Sequence, residues 1–188
     1  MAGVTLGLLA GGRATRLGGV EKAWLERDGV PQVLRLTRRF DAQVAAVMVS
    51  ANRGRERYAA NGLNSVADRV ADAGPLGGID ALAHACATEW MLTLPVDLIG
   101  VNECLLPSLA AGTSGSGAYA IDDDGAQPLV ALWPVKALRA NGADALARGD
   151  FSVQALQVGM SMQAVRFAGV RFGNLNTPGD LAAAGFAT

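Results

Sequence analysis

From Leu8 to Trp24 the chain reads LLAGGRATRLGGVEKAW, which sets four glycines, two arginines and a lysine directly behind an apolar run. Gly11 and Gly12 tolerate positive φ and leave no side chain between backbone N–H groups and an approaching anion, and Gly18 and Gly19 do the same on the far side. Arg16 is suited to a forked contact with phosphate oxygens and Lys22 to a compact point charge. The loop is therefore expected to cradle a polyphosphate; taken by itself it also reads as a glycine-rich connection carrying solvated cations. Spacing excludes two familiar alternatives. A Walker A loop, GxxxxGKS/T, needs Gly-Lys-Ser/Thr, whereas Lys22 follows Glu21 and precedes Ala23. The dinucleotide pattern GxGxxG is approached only by GSGAYA, Gly115 to Ala120, which precedes an expected strand rather than a helix.

Asp97, in LPVDL, is the second candidate. A phosphate cradle calls for an offset to the ligand's charge. A single carboxylate holding Mg²⁺ against phosphate oxygens supplies it, because Mg²⁺ takes few protein ligands and keeps substrate and water oxygens in its shell. Without the cradle, Asp97 reads equally well as a loop-capping carboxylate. Asn176, in NTPGDL, is suited to orient a phosphate or a metal-bound water, or simply to form a turn.

The elements that must position these residues follow from the hydrophobic pattern. Val4 to Leu9, Ala45 to Val49, Leu63 to Val66 and Trp90 to Leu94 read as short buried strands. Helical segments are expected between them: Pro31 to Phe40, with Pro31 at the first helical position, Arg53 to Ala60, and Gly77 to Ala87, entered through a GPLGG turn. Strands alternating with helices imply βαβ units. The fold class is thus α/β, a Rossmann-like, doubly wound, mainly parallel sheet with helices on both faces. In the second half, Ala118 to Ile121 and Leu129 to Trp133 flank DDDGAQP and predict a small antiparallel excursion, followed by a helix over Val135 to Leu146 and a last strand over Gln163 to Phe167. Thr177 is expected to cap a final helix, with Pro178 at its first position and Asp180 near the positive end of its dipole. In such a sheet, ligands bind outside the carboxyl ends of the strands. Lacking internal repeats and linkers, residues 1–188 are expected to form one domain.

A formal net charge of −1 gives no global field to attract nucleic acid or an anionic membrane, so phosphate binding must be local. No apolar run approaches a spanning helix and no basic segment precedes MAGVTLGLLAGG, which leads to a cytoplasmic expectation. Cys86 and Cys104 suggest neither a disulfide framework nor a zinc site and read as small buried hydrophobes. His84, the one histidine, reads as a packed or half-exposed helix residue, and Asp122 to Asp124 as a solvated hairpin turn. Trp24, Trp90 and Trp133 read as core or half-buried edge, and Arg35, Arg38 and Arg39 as the exposed face of the first helix.

Taken together, these residues resemble a family. LAGGRATRLGGVEK is similar to the LAGGxxxRMGxxDK signature of the molybdenum cofactor guanylyltransferases, a branch of the nucleotidyltransferases. The likeness continues through SANR (Ser50 to Arg53), Asp68, GPLGG (Gly74 to Gly78), LPVD (Leu94 to Asp97), DGAQPLVAL (Asp124 to Leu132) and NTPGDL (Asn176 to Leu181), in order along nearly the whole chain. Any one of these motifs is weak; their ordered succession is specific.

The resemblance implies Mg²⁺-dependent transfer of GMP from GTP to the terminal phosphate of molybdopterin carrying molybdenum, releasing pyrophosphate. It implies that Leu9, Ala10, Gly11 and Gly12 contact the nucleotide, that Lys22 binds its phosphates, and that Asp68 holds the guanosine portion. Asn52 and the GPLGG backbone then help build the base pocket. Asp97 binds Mg²⁺ and GTP, Arg16 and Lys22 neutralise developing charge, and Asn176 supports the metal or the second substrate. Cofactor-delivery proteins and apo-molybdoenzymes are the implied macromolecular partners, with neither nucleic acid nor membrane among them. Glu21 stands where the family usually has Asp, Leu17 replaces Met, and Ser50 lies where some members carry Asn. Two other functions are consistent with parts of the sequence. A cytidylyltransferase acting on molybdopterin or a sugar or polyol phosphate would more often show LAAG than LAGG, and a non-catalytic nucleotide-binding or cofactor-binding adaptor would not need Lys22 and Asp97 together.

Overall fold

The computed structural model of the protein describes residues 3–11 and 21–186. Its centre is β1 (Val4–Leu9), six consecutive buried residues, as befits a strand covered on both faces. β1 pairs in parallel with β4 (Ala46–Ser50) on one side and β6 (Trp90–Pro95) on the other, and β4 pairs in parallel with β5 (Asn64–Val66). The expected antiparallel excursion consists of β8 (Ala118–Asp122) and β9 (Gly125–Pro134), with β9 antiparallel to both β8 and β6. β10 (Gln163–Arg166) closes the sheet beside β8, giving the order β10-β8-β9-β6-β1-β4-β5. This is the mainly parallel, Rossmann-like sheet predicted from the sequence.

Helices cover both faces. α1 (Gln32–Phe40) and α4 (Leu105–Gly112) pack Val33, Leu36, Phe40, Leu105 and Leu109 against Leu6, Leu8, Leu92 and Leu94. α2 (Arg55–Ala60) adds Tyr58 to the same core. On the opposite face, α3 (Gly74–Ala85), α5 (Val135–Ala147) and α6 (Val153–Gly159) pack Leu76, Ile79, Leu82, Leu138 and Leu156 against Leu9, Met91 and Trp133. Leu92 and Leu94 facing one core while Met91 faces the other is the period-two alternation of a strand. Trp133 is fully buried and donates its indole N–H to Thr93 Oγ at 2.8 Å, a core role as expected.

Several boundaries differ from those read in the sequence. α3 starts at Gly74, so GPLGG forms its first turns instead of a preceding loop; Pro75 lies at the helix start, where its missing N–H costs nothing. Pro31 lies just before α1, at the N-cap, with extended ψ. β9 begins at Gly125, four residues earlier than Leu129, because Asp122 pairs with Gly125 across a tight turn and a register shift follows between Tyr119 and Ala120. Short elements escaped the pattern altogether: β2 (Glu26–Arg27) with β3 (Val30–Pro31), β7 (Leu98–Ile99) with β11 (Gly173–Asn174), and helices α4 and α6. Cys86 is buried as expected, but Cys104 is exposed at the N-cap of α4. Asp122, far from solvated, is fully buried and accepts the backbone N–H of Phe172 at 2.7 Å.

Candidate active site

The register aligns the carboxyl ends of the parallel strands: Val66 is opposite Ser50, Ser50 opposite Leu9, and Leu9 opposite Pro95. Hydrogen bonds continue one residue past these ends, from Ala51 N–H to Val66 O at 2.8 Å, Ala10 N–H to Ser50 O at 3.0 Å and Val96 N–H to Leu9 O at 3.0 Å. Ala10 and Gly11, Asn52, Asp68 and Asp97 each follow one of these aligned ends. Residues remote in sequence thereby share one sheet edge, the place where an open α/β sheet leaves room for a ligand.

Lys22 is set by a short 3₁₀ turn, Lys22–Trp24, whose next two residues, Ala23 and Trp24, are buried. Trp24 packs on Tyr58 with ring centroids 4.9 Å apart, and the Arg57 guanidinium lies 4.2 Å from the Trp24 ring centroid, a cation–π contact. Burial, helped by the Glu21 carboxylate and opposed by Arg57, pushes the Tyr58 phenol up to about 12, so it serves as a neutral packing surface. From this anchor the Lys22 ammonium reaches Asp97 Oδ2 at 2.6 Å and Asn176 Oδ1 at 2.7 Å. Lys22 and Asp97 retain 20% and 19% of their side-chain exposure, enough for a ligand to reach them.

Asn176 arrives through contacts the sequence did not reveal. β11 pairs antiparallel with β7, Asn174 opposite Leu98, and Leu175 N–H donates to Asp97 O at 3.0 Å. Gln32, buried in α1, donates to Leu98 O at 2.8 Å and fixes the other side of this ribbon. Leu25, Leu175, Leu181 and Phe186 form a separate apolar cluster beneath it. Thr177 caps α7 (Pro178–Ala183) as expected, but Asp180 does more than complement the dipole: its Oδ2 accepts N–H from Thr177 at 2.8 Å and Asn176 at 3.1 Å, completing a capping box. Hydrogen bonds from the Thr177 side chain and from the Thr177 and Asn176 backbone, with Lys22 adding attraction, hold the Asp180 carboxyl below the usual range.

At the β4–β5 end, Asp68 Oδ2 accepts from Asn52 Nδ2 at 2.8 Å, and Asp68 N–H donates back to Asn52 Oδ1 at 2.8 Å. Ser50 Oγ donates to Asp68 Oδ1 at 3.2 Å, so the serine at this departure from the family pattern supports Asp68. α3 presses closely on this edge. A Cβ on Gly78 would stand 2.6 Å from Ser50 Oγ and 3.2 Å from Leu9 Cδ2, which is why the second half of GPLGG must be small. Gly11 is exposed, and among the described residues a Cβ there would meet nothing within 4 Å. Lys22, Asp97 and Asn176 are thus brought into contact, and Asn52 and Asp68 into a second contact. Gly12 and Arg16 lie outside the described residues.

A sheet edge bearing an ammonium, two carboxylates and two carboxamides suits phosphate chemistry driven by position and charge. Solved structures share this fold. A nucleotidyl transferase from Methanothermobacter thermautotroptrophicus superposes with a TM-score of 0.75 at 18% identity, covering 97% of this chain and 96% of its own. The molybdopterin-guanine dinucleotide biosynthesis protein A of Archaeoglobus fulgidus gives a TM-score of 0.72 at 17% identity, covering 96% of each chain. In sequence, the molybdenum cofactor guanylyltransferase of Yersinia pseudotuberculosis serotype O:1b is 34% identical over 177 residues, 92% of this chain and 90% of that protein. Residues 7–158 match the family model described as the MobA-like NTP transferase domain, and the chain belongs to that family of nucleotidyltransferases. Among the described residues, no helix is long and apolar enough to cross a membrane.

Proposed function

We propose that this protein transfers GMP from GTP to the terminal phosphate of molybdopterin carrying molybdenum, forming the guanine dinucleotide cofactor and pyrophosphate in the cytoplasm. The carrying observation is the contact of Lys22 with both Asp97 and Asn176, at 2.6 and 2.7 Å, on the carboxyl edge of the sheet. The name of the Yersinia relative supports the choice of substrates.

The attacking phosphate oxygen is already ionised, so the reaction needs no general base and no protein nucleophile: a new oxygen–phosphorus bond forms at the α-phosphorus as pyrophosphate leaves. Lys22 binds the phosphates as a point charge, with Arg16 as a second cation. The backbone of Leu9, Ala10, Gly11 and Gly12 admits the nucleotide closely. Asp68, held by Asn52 and Ser50, receives the guanosine portion, while Asn176 orients the phosphate side of the site. Asp97 suits Mg²⁺ on its chemistry. It is one carboxylate with only Oδ2 engaged by Lys22, and no group of three metal-ligating side chains occurs among the described residues. A single carboxylate fits a Mg²⁺ that shares its shell with phosphates and water, and the bound ion supplies charge neutralisation there. Molybdenum arrives on the substrate.

Calorimetric titration with GTP, CTP, ATP and UTP, with and without Mg²⁺, tests the reading together with an Asp97→Asn variant. Preference for GTP, with Asp97→Asn binding GTP nearly as well yet transferring nothing to molybdopterin, is the expected result. Preference for CTP would replace the guanylyl reading with a cytidylyl one, and failure to bind any nucleotide would overturn both.

A further inference from the structure

α3 carries a buried carboxylate that phosphate chemistry does not use. Asp80 is 3% exposed, and its Oδ2 takes Arg69 NH1 at 3.2 Å. Its Oδ1 has no hydrogen-bond partner among the described residues, although His84 Nδ1 lies 3.2 Å away, because that nitrogen is directed to the backbone oxygen of Asp80 at 2.9 Å. An ion pair with one partner buried gains little net stability, since desolvation of the carboxylate offsets its attraction, but it fixes geometry. Arg69 is 52% exposed along its side chain and directly follows Asp68, so the pair ties the Asp68 segment to the rigid α3 helix.

That segment needs fixing. Residues 67–73 form no regular helix or strand, and both Asp72 (φ +55°) and Gly74 (φ +58°) take left-handed backbone, which is costly for the aspartate. α3 also touches the segment directly: a Cβ on Gly77 would lie 3.3 Å from Val70 O and 3.4 Å from Asp68 Oδ2. Asp68 is therefore oriented from two directions, by Ser50 and Asn52 at the strand ends and by Asp80 through Arg69 from the helix.

We infer that Asp80 and Arg69 are positioning residues for nucleoside recognition, setting the Asp68 carboxylate for the guanosine portion of the nucleotide without touching it. The inference rests on the proposed role of Asp68.

The test uses the full chain with Asp80→Asn, Arg69→Gln, Asp68→Asn and the Arg69→Gln/Asp68→Asn double variant, each checked for a wild-type melting profile. GTP affinity is read by calorimetry and KM and kcat by turnover. The expected result is a loss of GTP affinity of about fivefold or more in Asp80→Asn and Arg69→Gln, carried in KM with kcat within about twofold. The double variant should bind no more weakly than Asp68→Asn, as expected for residues acting as one unit. The sign at Asp80 separates positioning from simple charge: Asp80→Asn makes the site more positive, so a purely electrostatic role for Arg69 predicts unchanged or tighter GTP binding, and that outcome overturns the inference. Wild-type affinity in both Asp80→Asn and Arg69→Gln beside weak binding by Asp68→Asn overturns it too, leaving the reading of Asp68 intact. Wild-type binding by Asp68→Asn removes that reading and the inference with it. Arg69→Gln, at a half-exposed position, keeps the question open to decision should Asp80→Asn fold poorly.

Discussion

Lys22 joins two acceptors that lie 75 and 154 positions away along the chain, and each of the three side chains limits what the others can do. An ammonium offers rotatable donors around a point charge, so it can satisfy a carboxylate, a carboxamide and incoming phosphate oxygens in turn. Replacing Lys22 with Met keeps the length of the side chain and removes the charge. Steady-state kinetics should show kcat/KM reduced by about 10²–10³-fold, the order seen when one preorganised charge-stabilising donor is lost; Lys22→Arg should recover only part of it, because a planar fork cannot occupy the same position between Asp97 and Asn176. Lys22 and Asp97 were legible in the sequence because their motifs are local. The partners of Asp68 were less so: Ser50 registers in the sequence only as a departure from the family pattern, and its hydrogen bond to Asp68 depends on strand register.

α3 shows how an element can act through its smallest residues. Its opening turns lie against the strand ends, and the closest approach is at Gly78, where any side chain meets Ser50 and Leu9. Gly78→Ala should therefore push the helix outward, destabilising the protein by about 1–3 kcal/mol as overpacking does, and should weaken nucleotide binding at Asp68. Urea unfolding and calorimetry measure the two effects separately. The hydrophobic pattern identified α3 but placed its start three residues late, at Gly77, because glycines read as loop when nothing shows what they must fit against. The same lack of tertiary information hid α4 and α6 and the β7–β11 ribbon. A two-residue strand has no periodicity to detect, yet this one delivers Asn176.

At the scale of the molecule, Asp122 fastens the β8–β9 turn to the segment that leads into β11. Its Oδ2 accepts the Phe172 N–H, and its Oδ1 accepts from Asp124 N–H and Gln127 Nε2. Burial pushes its carboxyl up, but hydrogen bonds from the Phe172 backbone, the Gln127 side chain and the Asp124 and Gly125 backbone outweigh this and hold it below the usual carboxylate range. A folded-state value below the unfolded one contributes stability that is present above the ordinary aspartate value, about 3.9, and is lost as pH falls through the lower folded value. Asp122→Asn should accordingly cost about 1–3 kcal/mol at pH 7, the range for a hydrogen bond to a buried charged group. The gap from wild type should narrow below about pH 4, which denaturant unfolding at pH 7 and pH 3 will reveal. In the sequence, DDDG reads as solvated turn chemistry, and only the return of the chain at Phe172 converts one of its aspartates into an internal fastening.

The ribbon of β7 and β11 also has a consequence in time. The parallel strands β1, β4, β5 and β6, and with them Lys22 and Asp97, are all made before residue 100, whereas Asn176 is added after the rest of the sheet has been synthesised. A chain emerging from the ribosome can build its central sheet early, N-terminal elements first, but it must wait for Gly173 and Asn174 to pair with β7 before the third member of the Lys22 cluster is present. The order of residues along the chain thus leaves the nascent protein with a recognisable fold and an incomplete site until residues 173–176 have been made.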